Sequence, residues 1–334
     1  MVVGESGGAD AFFSKYEALA SSLPARQGLG FTPYREYHGF WYPELLMAPT
    51  LAARDTFAAR PTDVILATVP KSGTTWLKAL VYGVVHRGHH ALAGGEHHPL
   101  LASSPHELVP FLHELYERHR SAPPVPVLDG MPSPRLLAVH TPFAALPASV
   151  PGSGCRVVYL CRDPKDTFVS LRHFLDEIKP EGSDTTPFAE AFELFCAGVS
   201  PFGPIWDHMA GYWKESVARP GEVMFLRYEH LKEDTVGTVR RLAEFLGCPF
   251  TDEEVVGGVP EAVVALCSLD RMRSVEANRD GVHRTGRLSI KNRAFFRKGE
   301  VGDWKAHITP EMAQKLDSIV EEKLRGSGLS IAGE

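Results

Sequence analysis

The sequence is poor in cysteine. Only Cys155, Cys161, Cys196, Cys248 and Cys267 occur in 334 residues, and no two of them form a Cys-x-x-Cys pair. An odd, scattered set gives no disulfide framework, so these residues are read as small apolar side chains in a reducing compartment. Long hydrophobic runs are absent too. No stretch approaches the ~18 residues of a membrane helix, and the first thirty residues lack the charged start and continuous apolar core of a signal peptide. A soluble, cytoplasmic protein with no membrane partner is expected. Positive charge is not in excess: 35 Lys and Arg stand against 41 Asp and Glu, a formal charge of -6, which argues against a nucleic-acid partner but leaves room for a local basic pocket. The nucleoside-triphosphate loop Gly-x4-Gly-Lys-Ser/Thr is also missing.

What is present starts at Val64. Val64–Val69 is a short apolar, β-branched run suited to a strand buried on both faces of a parallel sheet, and Pro70 ends it. Lys71-Ser72-Gly73-Thr74-Thr75-Trp76 follows, then Leu77, Leu80, Val81, Val84 and Val85 at helical spacing. A glycine turn at a helix start, with free N–H groups and a lysine beside it, is an anion site. Because the lysine precedes the glycine, phosphate cradling is expected and Mg-ATP chemistry is not implied.

Three further strand-like runs end in chemically capable residues. Leu136–Val139 leads into His140, Arg156–Cys161 into Arg162-Asp163-Pro164, and Val223–Leu226 into Arg227-Tyr228. Asp163 and Pro164 start a helix with Phe168, Leu171 and Leu175 on its buried stripe and Ser170 on the other side. Further helices are expected near Phe188–Val199, Ile205–Val217 and Thr235–Leu246, the last stopped by Gly247. Strands alternating with helices predict an α/β fold, a single globular domain over 11–330 with a central parallel sheet flanked by helices. Ligands in such sheets bind beyond the carboxyl ends of the strands, so Lys71, His140, Arg162 and Tyr228 are expected to converge on one crevice.

Other segments are less specific. Residues 1–10 are Gly-rich and expected to be disordered. His86, His89, His90, His97 and His98 lie in a Gly-rich linker without cysteine or paired carboxylates and are read as loop histidines, not a metal site. Residues 99–134 are Pro-rich and expected to cross the face of the sheet with one short helix. Aromatic-dense Arg35–Leu46 is read as core packing first, with a wall of an apolar ligand pocket as the alternative. Residues 278–296 are basic, lack a period and are read as a mobile, lid-like loop. Arg297-Lys298-Gly299 closes that stretch.

In combination, Pro70–Trp76, His140, Tyr159–Ser170, Phe225–Glu229 and Arg297–Lys305 resemble, in order, the motifs of plant cytosolic sulfotransferases. The resemblance spans most of residues 60–310. It implies sulfuryl transfer from 3'-phosphoadenosine 5'-phosphosulfate (PAPS) to a hydroxyl or amine, leaving 3'-phosphoadenosine 5'-phosphate (PAP), with no metal; the chain's own aromatic residues point to a hydroxyl of a hydrophobic small molecule. By that resemblance Lys71, Ser72, Gly73, Thr74 and Thr75 cradle the phosphosulfate, while Trp76 and Tyr228 contact adenine. Arg162, Ser170, Arg297, Lys298 and Gly299 hold the 3'-phosphate. His140 is the general base, Lys71 stabilises the leaving group, and Ser170 joins them in the catalytic set. Cys267 and Leu269 stand where Thr and Phe are common in the family, and the family's dimer motif survives only in part at Lys305, Thr309-Pro310 and Gln314, so a monomer or weak homodimer is expected. Phe143, Phe174, Phe295, Phe296 and Gly39–Tyr42 are the candidates for the acceptor pocket. A small-molecule kinase using Mg-ATP, with Asp163 as metal ligand, and a catalytically silent nucleotide-binding protein are the competing readings.

Overall fold

The computed structural model describes residues 11–88, 98–285 and 288–331. Among the described residues the strands in chain order are β1 (Ala25–Gln27), β2 (Pro33–Tyr37), β3 (Phe40–Pro43), β4 (Val64–Thr68), β5 (Leu136–Val139), β6 (Arg156–Cys161), β7 (Val223–Arg227), β8 (Val282–Thr285) and β9 (Leu288–Lys291). The central sheet is four-stranded, in the order β5-β4-β6-β7, and every pairing is parallel. It carries the four runs read from the sequence as strands.

Strand periodicity sorts the apolar side chains into two layers. From β4, Ile65 and Ala67 pack on one face with Leu137, Val157 and Tyr159; Val64 and Leu66 pack on the other with Leu136, Val158 and Leu160. Both faces are therefore covered, as expected for a parallel sheet whose strands read as continuous apolar runs. The Thr74–His86 helix lies in the second layer. The Pro164–Ile178 helix contributes Phe168 and Leu171 to the first.

Order extends further than the sequence suggested in two places. Residues 99–134 hold helical turns at Pro99–Leu101, Pro105–Leu108, Leu112–Arg118 and Val125–Gly130, and Phe111 makes a parallel bridge to Ala138 at the free edge of β5. The stretch read as a structureless loop contains the antiparallel hairpin β8–β9 followed by a 3-10 turn, Asn292–Phe295. Its alternation was weak because exposed Val282 reverses the usual pattern while His283 is buried.

Residues 1–10 and, within the histidine-rich linker, His89, His90 and His97 lie outside the described residues. His86 ends its helix, and the His98 side chain accepts from Leu100 N–H. Among the described residues no group of three or more His, Cys, Asp or Glu side chains could hold a metal ion.

Candidate active site

The β4 turn is built by backbone conformation. Lys71 has φ +72° and Gly73 φ +105°, and Gly73 is the N-cap of the Thr74–His86 helix. A Cβ on Gly73 would lie 2.8 Å from the Tyr228 ring and 3.0 Å from Leu160. Left-handed backbone and close approach both demand glycine here. Gly73→Ala is therefore expected to weaken PAP binding at least tenfold by calorimetry, with the overall fold retained by circular dichroism.

The loop polarises an anion-sized space. Lys71, Gly73, Thr74, Thr75, Trp76, His140, Arg162, Ser170, Tyr228, Arg297 and Gly299 all line one cavity. The strand-end residues expected to converge do so, because parallel strands deliver their carboxyl ends to the same edge of the sheet. Two buried donors of lining residues, Arg162 Nε and Arg297 Nε, have no partner among the described residues; the same holds for Ser72 Oγ, which lies in the loop but not on the cavity wall. Buried donors without acceptors are costly unless a ligand supplies them. The donor set of hydroxyls, guanidiniums and helix-start N–H groups matches phosphate or sulfate oxygens.

Lys71 Nζ lies 4.1 Å from the Phe174 ring centroid and 3.4 Å from the Ala294 carbonyl. Burial, reinforced by Arg297, pushes its pKa down to about 7. The field of such a site favours an incoming anion, which would restore the lysine's positive charge.

Trp76 and Tyr228 meet edge to face, with centroids 5.5 Å apart, and the Tyr228 hydroxyl donates to the Gly299 carbonyl at 3.0 Å. Leu269, Met272 and Phe296 line the cavity beside them. Cys267 is fully buried in the core beneath it.

Two carboxylates that the sequence reading did not assign organise the cationic end. Asp166 is fully buried, pairs with Arg162 at 3.3 Å, and accepts from Gly302 N–H at 2.8 Å and Trp304 N–H at 2.9 Å. Asp303 binds Arg297 and also Lys298, the latter at 2.6 Å. These bonds hold the Asp303 carboxyl well below the usual carboxylate range despite its burial. Each carboxylate lies in a motif with its cationic partners four to six residues away, but nothing local marks the Gly302 and Trp304 N–H groups from which Asp166 also accepts. Lys298 is absent from the cavity wall although its neighbour Arg297 lines it.

His140 sits past β5, and its Nδ1 is 2.8 Å from the Thr68 carbonyl. A carbonyl only accepts, so Nδ1 carries the proton and Nε2 is left as a lone-pair acceptor. Burial pushes the pKa down to about 3, opposed by that backbone bond. The ring is thus held neutral, with Nε2 carrying the lone pair. The Thr68 hydroxyl also bonds Thr74 Oγ1 at 2.6 Å, tying the anion loop to the histidine's anchor. Behind the ring, His208 Nε2 donates to the His140 carbonyl at 3.0 Å.

A second, more apolar cavity shares His140, Pro70, Phe111, Phe174 and Phe295 with the first. Its other walls come from the 31–46 segment through Tyr34, Pro43, Leu45 and Leu46, and from the hairpin through His283, Thr285, Leu288 and Ile290. Two expectations are corrected here. Phe143 packs against Tyr212 instead of lining either cavity. Gly39–Tyr42 does not line them either: Tyr42 points into the core, and the following residues Pro43, Leu45 and Leu46 form the wall.

A four-stranded parallel α/β sheet with a glycine-bent anion loop and a neutral histidine across the crevice defines the P-loop-like class of group-transfer proteins. Residues 61–328 match the model of the sulfotransferase domain. Cytosolic sulfotransferase 15 of Arabidopsis thaliana is 41% identical, over 95% of this chain and 87% of its own. Cytosolic sulfotransferase 16 of the same plant is 42% identical, over 94% and 92%. The crystal structure of an Arabidopsis thaliana protein assigned as a steroid sulphotransferase superposes with a TM-score of 0.74 at 35% identity, covering 99% of this chain and 98% of that one. Mouse sulfotransferase SULT7A1 complexed with PAP superposes at 0.66 with 26% identity, covering 88% and 95%. The chain belongs to the sulfotransferase family, whose members use PAPS.

Proposed function

We propose that the protein transfers the sulfuryl group of PAPS to a hydroxyl of a hydrophobic small molecule in the cytosol. The observation that carries this reading is the placement of His140. Its unprotonated Nε2 belongs to a ring that lines both the anion cavity and the apolar cavity. Lys71, Ser72, Gly73, Thr74 and Thr75 hold the 5'-phosphosulfate. Trp76 and Tyr228 flank adenine. Arg162, Ser170, Arg297, Lys298 and Gly299 hold the 3'-phosphate. The acceptor occupies the apolar cavity, under a roof made by the 282–291 hairpin. Residues 11–330 act as one domain, with 278–296 as its lid.

An alcohol is a weak nucleophile at neutral pH, and a neutral imidazole is suited to take its proton as the S–O bond forms. The bond from sulfur to the bridging oxygen breaks as the new one forms, and charge develops on that oxygen. Lys71 is placed to stabilise it. Sulfuryl transfer needs alignment and charge stabilisation in the manner of phosphoryl transfer, with less charge on the group that moves.

The kinase reading needs a free carboxylate for magnesium. Asp163 is instead engaged as a helix cap, accepting from Lys165 N–H at 2.7 Å and pairing with Lys165 Nζ at 3.2 Å. The names of the plant relatives support the cytosolic assignment. The test is incubation with sulfur-labelled PAPS and a panel of hydroxylated hydrophobic metabolites, together with thermal shift. Labelled acceptor and stabilisation by PAP are expected. Stabilisation by Mg-ATP alone would overturn the reading.

A further inference from the structure

Lys78 stands out among the buried groups left without a role. It lies on the helix that starts at the anion loop, is fully buried, and its ammonium sits 3.4 Å from the Phe111 ring centroid. Its Nζ is 3.1 Å from His106 Nδ1. On the other side of the ring, His106 Nε2 is 3.0 Å from Thr75 Oγ1. His106 is itself buried and lines the anion cavity with Thr75. The ring is wedged between Phe111 and Phe295, at centroid distances of 5.6 and 4.2 Å.

We propose that Lys78 and His106 form a one-directional hydrogen-bond relay that aims the Thr75 hydroxyl proton at the bound anion, making both of them positioning residues for the cofactor. Burial pulls the Lys78 pKa down to about 7, with Glu114 opposing it; in its charged form the ammonium only donates, so His106 Nδ1 then accepts. A neutral imidazole then carries its proton on Nε2, which donates to Thr75 Oγ1. With that lone pair engaged, the threonine hydroxyl directs its own proton elsewhere, and the cavity it lines is where an anion's oxygens would lie. Burial and the neighbouring lysine hold the His106 pKa well below its ordinary value, so the ring stays neutral. Without the lysine, the imidazole could take either tautomer and the threonine could spend its proton on the ring. Thr74 has a separate anchor, Thr68, so the two adjacent hydroxyls are oriented by independent partners.

This inference rests on the phosphosulfate reading of the loop, and PAP binding measured by calorimetry separates the two. Lys78→Met keeps the chain length and removes the donor, and circular dichroism with the unfolding midpoint checks that the variant stays folded. PAP affinity is expected to fall about tenfold in Lys78→Met. His106→Leu should fall by a similar factor. His106→Gln, whose amide can accept from Lys78 and donate to Thr75, should stay within about threefold of wild type. Introduced on top of Thr75→Val, the Lys78→Met change should have no further effect, because the relay then has no terminus. Equal weakening by Lys78→Met with and without the Thr75 hydroxyl would overturn the relay, as would His106→Gln behaving like His106→Leu. Failure of the wild-type protein to bind PAP would instead overturn the reading of the site.

Discussion

His140→Ala is expected to lower kcat by about 10²–10⁴-fold, the range for removal of a positioned general base, while PAP affinity stays within about threefold of wild type. The asymmetry follows from the site. The ring is anchored by its Nδ1 proton on the Thr68 carbonyl and turns its basic nitrogen away from that anchor, whereas the proposed cofactor contacts come from the loop, Arg162, Ser170 and the 297–299 segment. Truncation removes the proton acceptor without removing an anion donor. Thr68 keeps its hydroxyl bond to Thr74, so the loop retains its link to the sheet. Single-turnover kinetics with saturating cofactor would measure the loss directly. A variant turning over at more than a tenth of the wild-type rate would remove His140 from the role of base.

The second large effect is loss of stability in acid. His113, His140 and His208 are buried, and burial holds their pKa values at about 4, about 3 and about 4. His106 is depressed in the same direction for the same first cause. In the unfolded chain each returns to roughly 6.5. The native state therefore binds fewer protons than the unfolded state between those values, and stability rises with pH across that window and falls as pH drops through it. His113, His140 and His208 together amount to about 4 kcal/mol between pH 7.5 and 5.5, and His106 adds in the same direction, a quarter or more of the stability of an ordinary domain. Glu114, whose carboxyl is held low by His283 against its own burial, adds to the loss at still lower pH. Urea midpoints at the two pH values would show a fall of several-tenths of the denaturant range. His208→Gln, which can keep the donor to the His140 carbonyl, should reduce the dependence by about one quarter. Equal midpoints at pH 7.5 and 5.5 would contradict the buried, neutral state of these rings.

The legible part of the site was the part that one strand end and one motif could announce. β4, β5, β6 and β7 each read as an apolar run, and parallel strands place their terminal residues at one edge, so Lys71, His140, Arg162 and Tyr228 could be brought together without coordinates. Helix starts were equally plain, since Asp163 with Pro164 is a cap with a local signature. What escaped was long-range pairing. Lys78 and His106 are 28 residues apart, Asp166 meets Trp304 across 138, and Glu114 meets His283 across 169. A lysine between Leu77 and Ala79 has no local mark of burial, and a carboxylate in a charged stretch has no local mark of its partner. The hairpin at 282–291 escaped for a different reason: its strands are four residues each and bury only part of one face.

Asp303 changes what Arg297 and Lys298 can select. The two cations already share this internal carboxylate, so an incoming anion competes with an occupant instead of entering an empty field. A singly charged group gains little from such an exchange, because it replaces like with like. A phosphate monoester near neutral pH carries close to two charges and three acceptor oxygens, and gains by supplementing the carboxylate. If the proposed 3'-phosphate site is right, this end of the cavity answers to charge density, favouring a terminal phosphate over a sulfate ester or a carboxylate. On the proposed reading, departure of a spent nucleotide leaves Arg297 at the wall and Lys298 beside it paired with Asp303, so release does not have to strand a bare charge there.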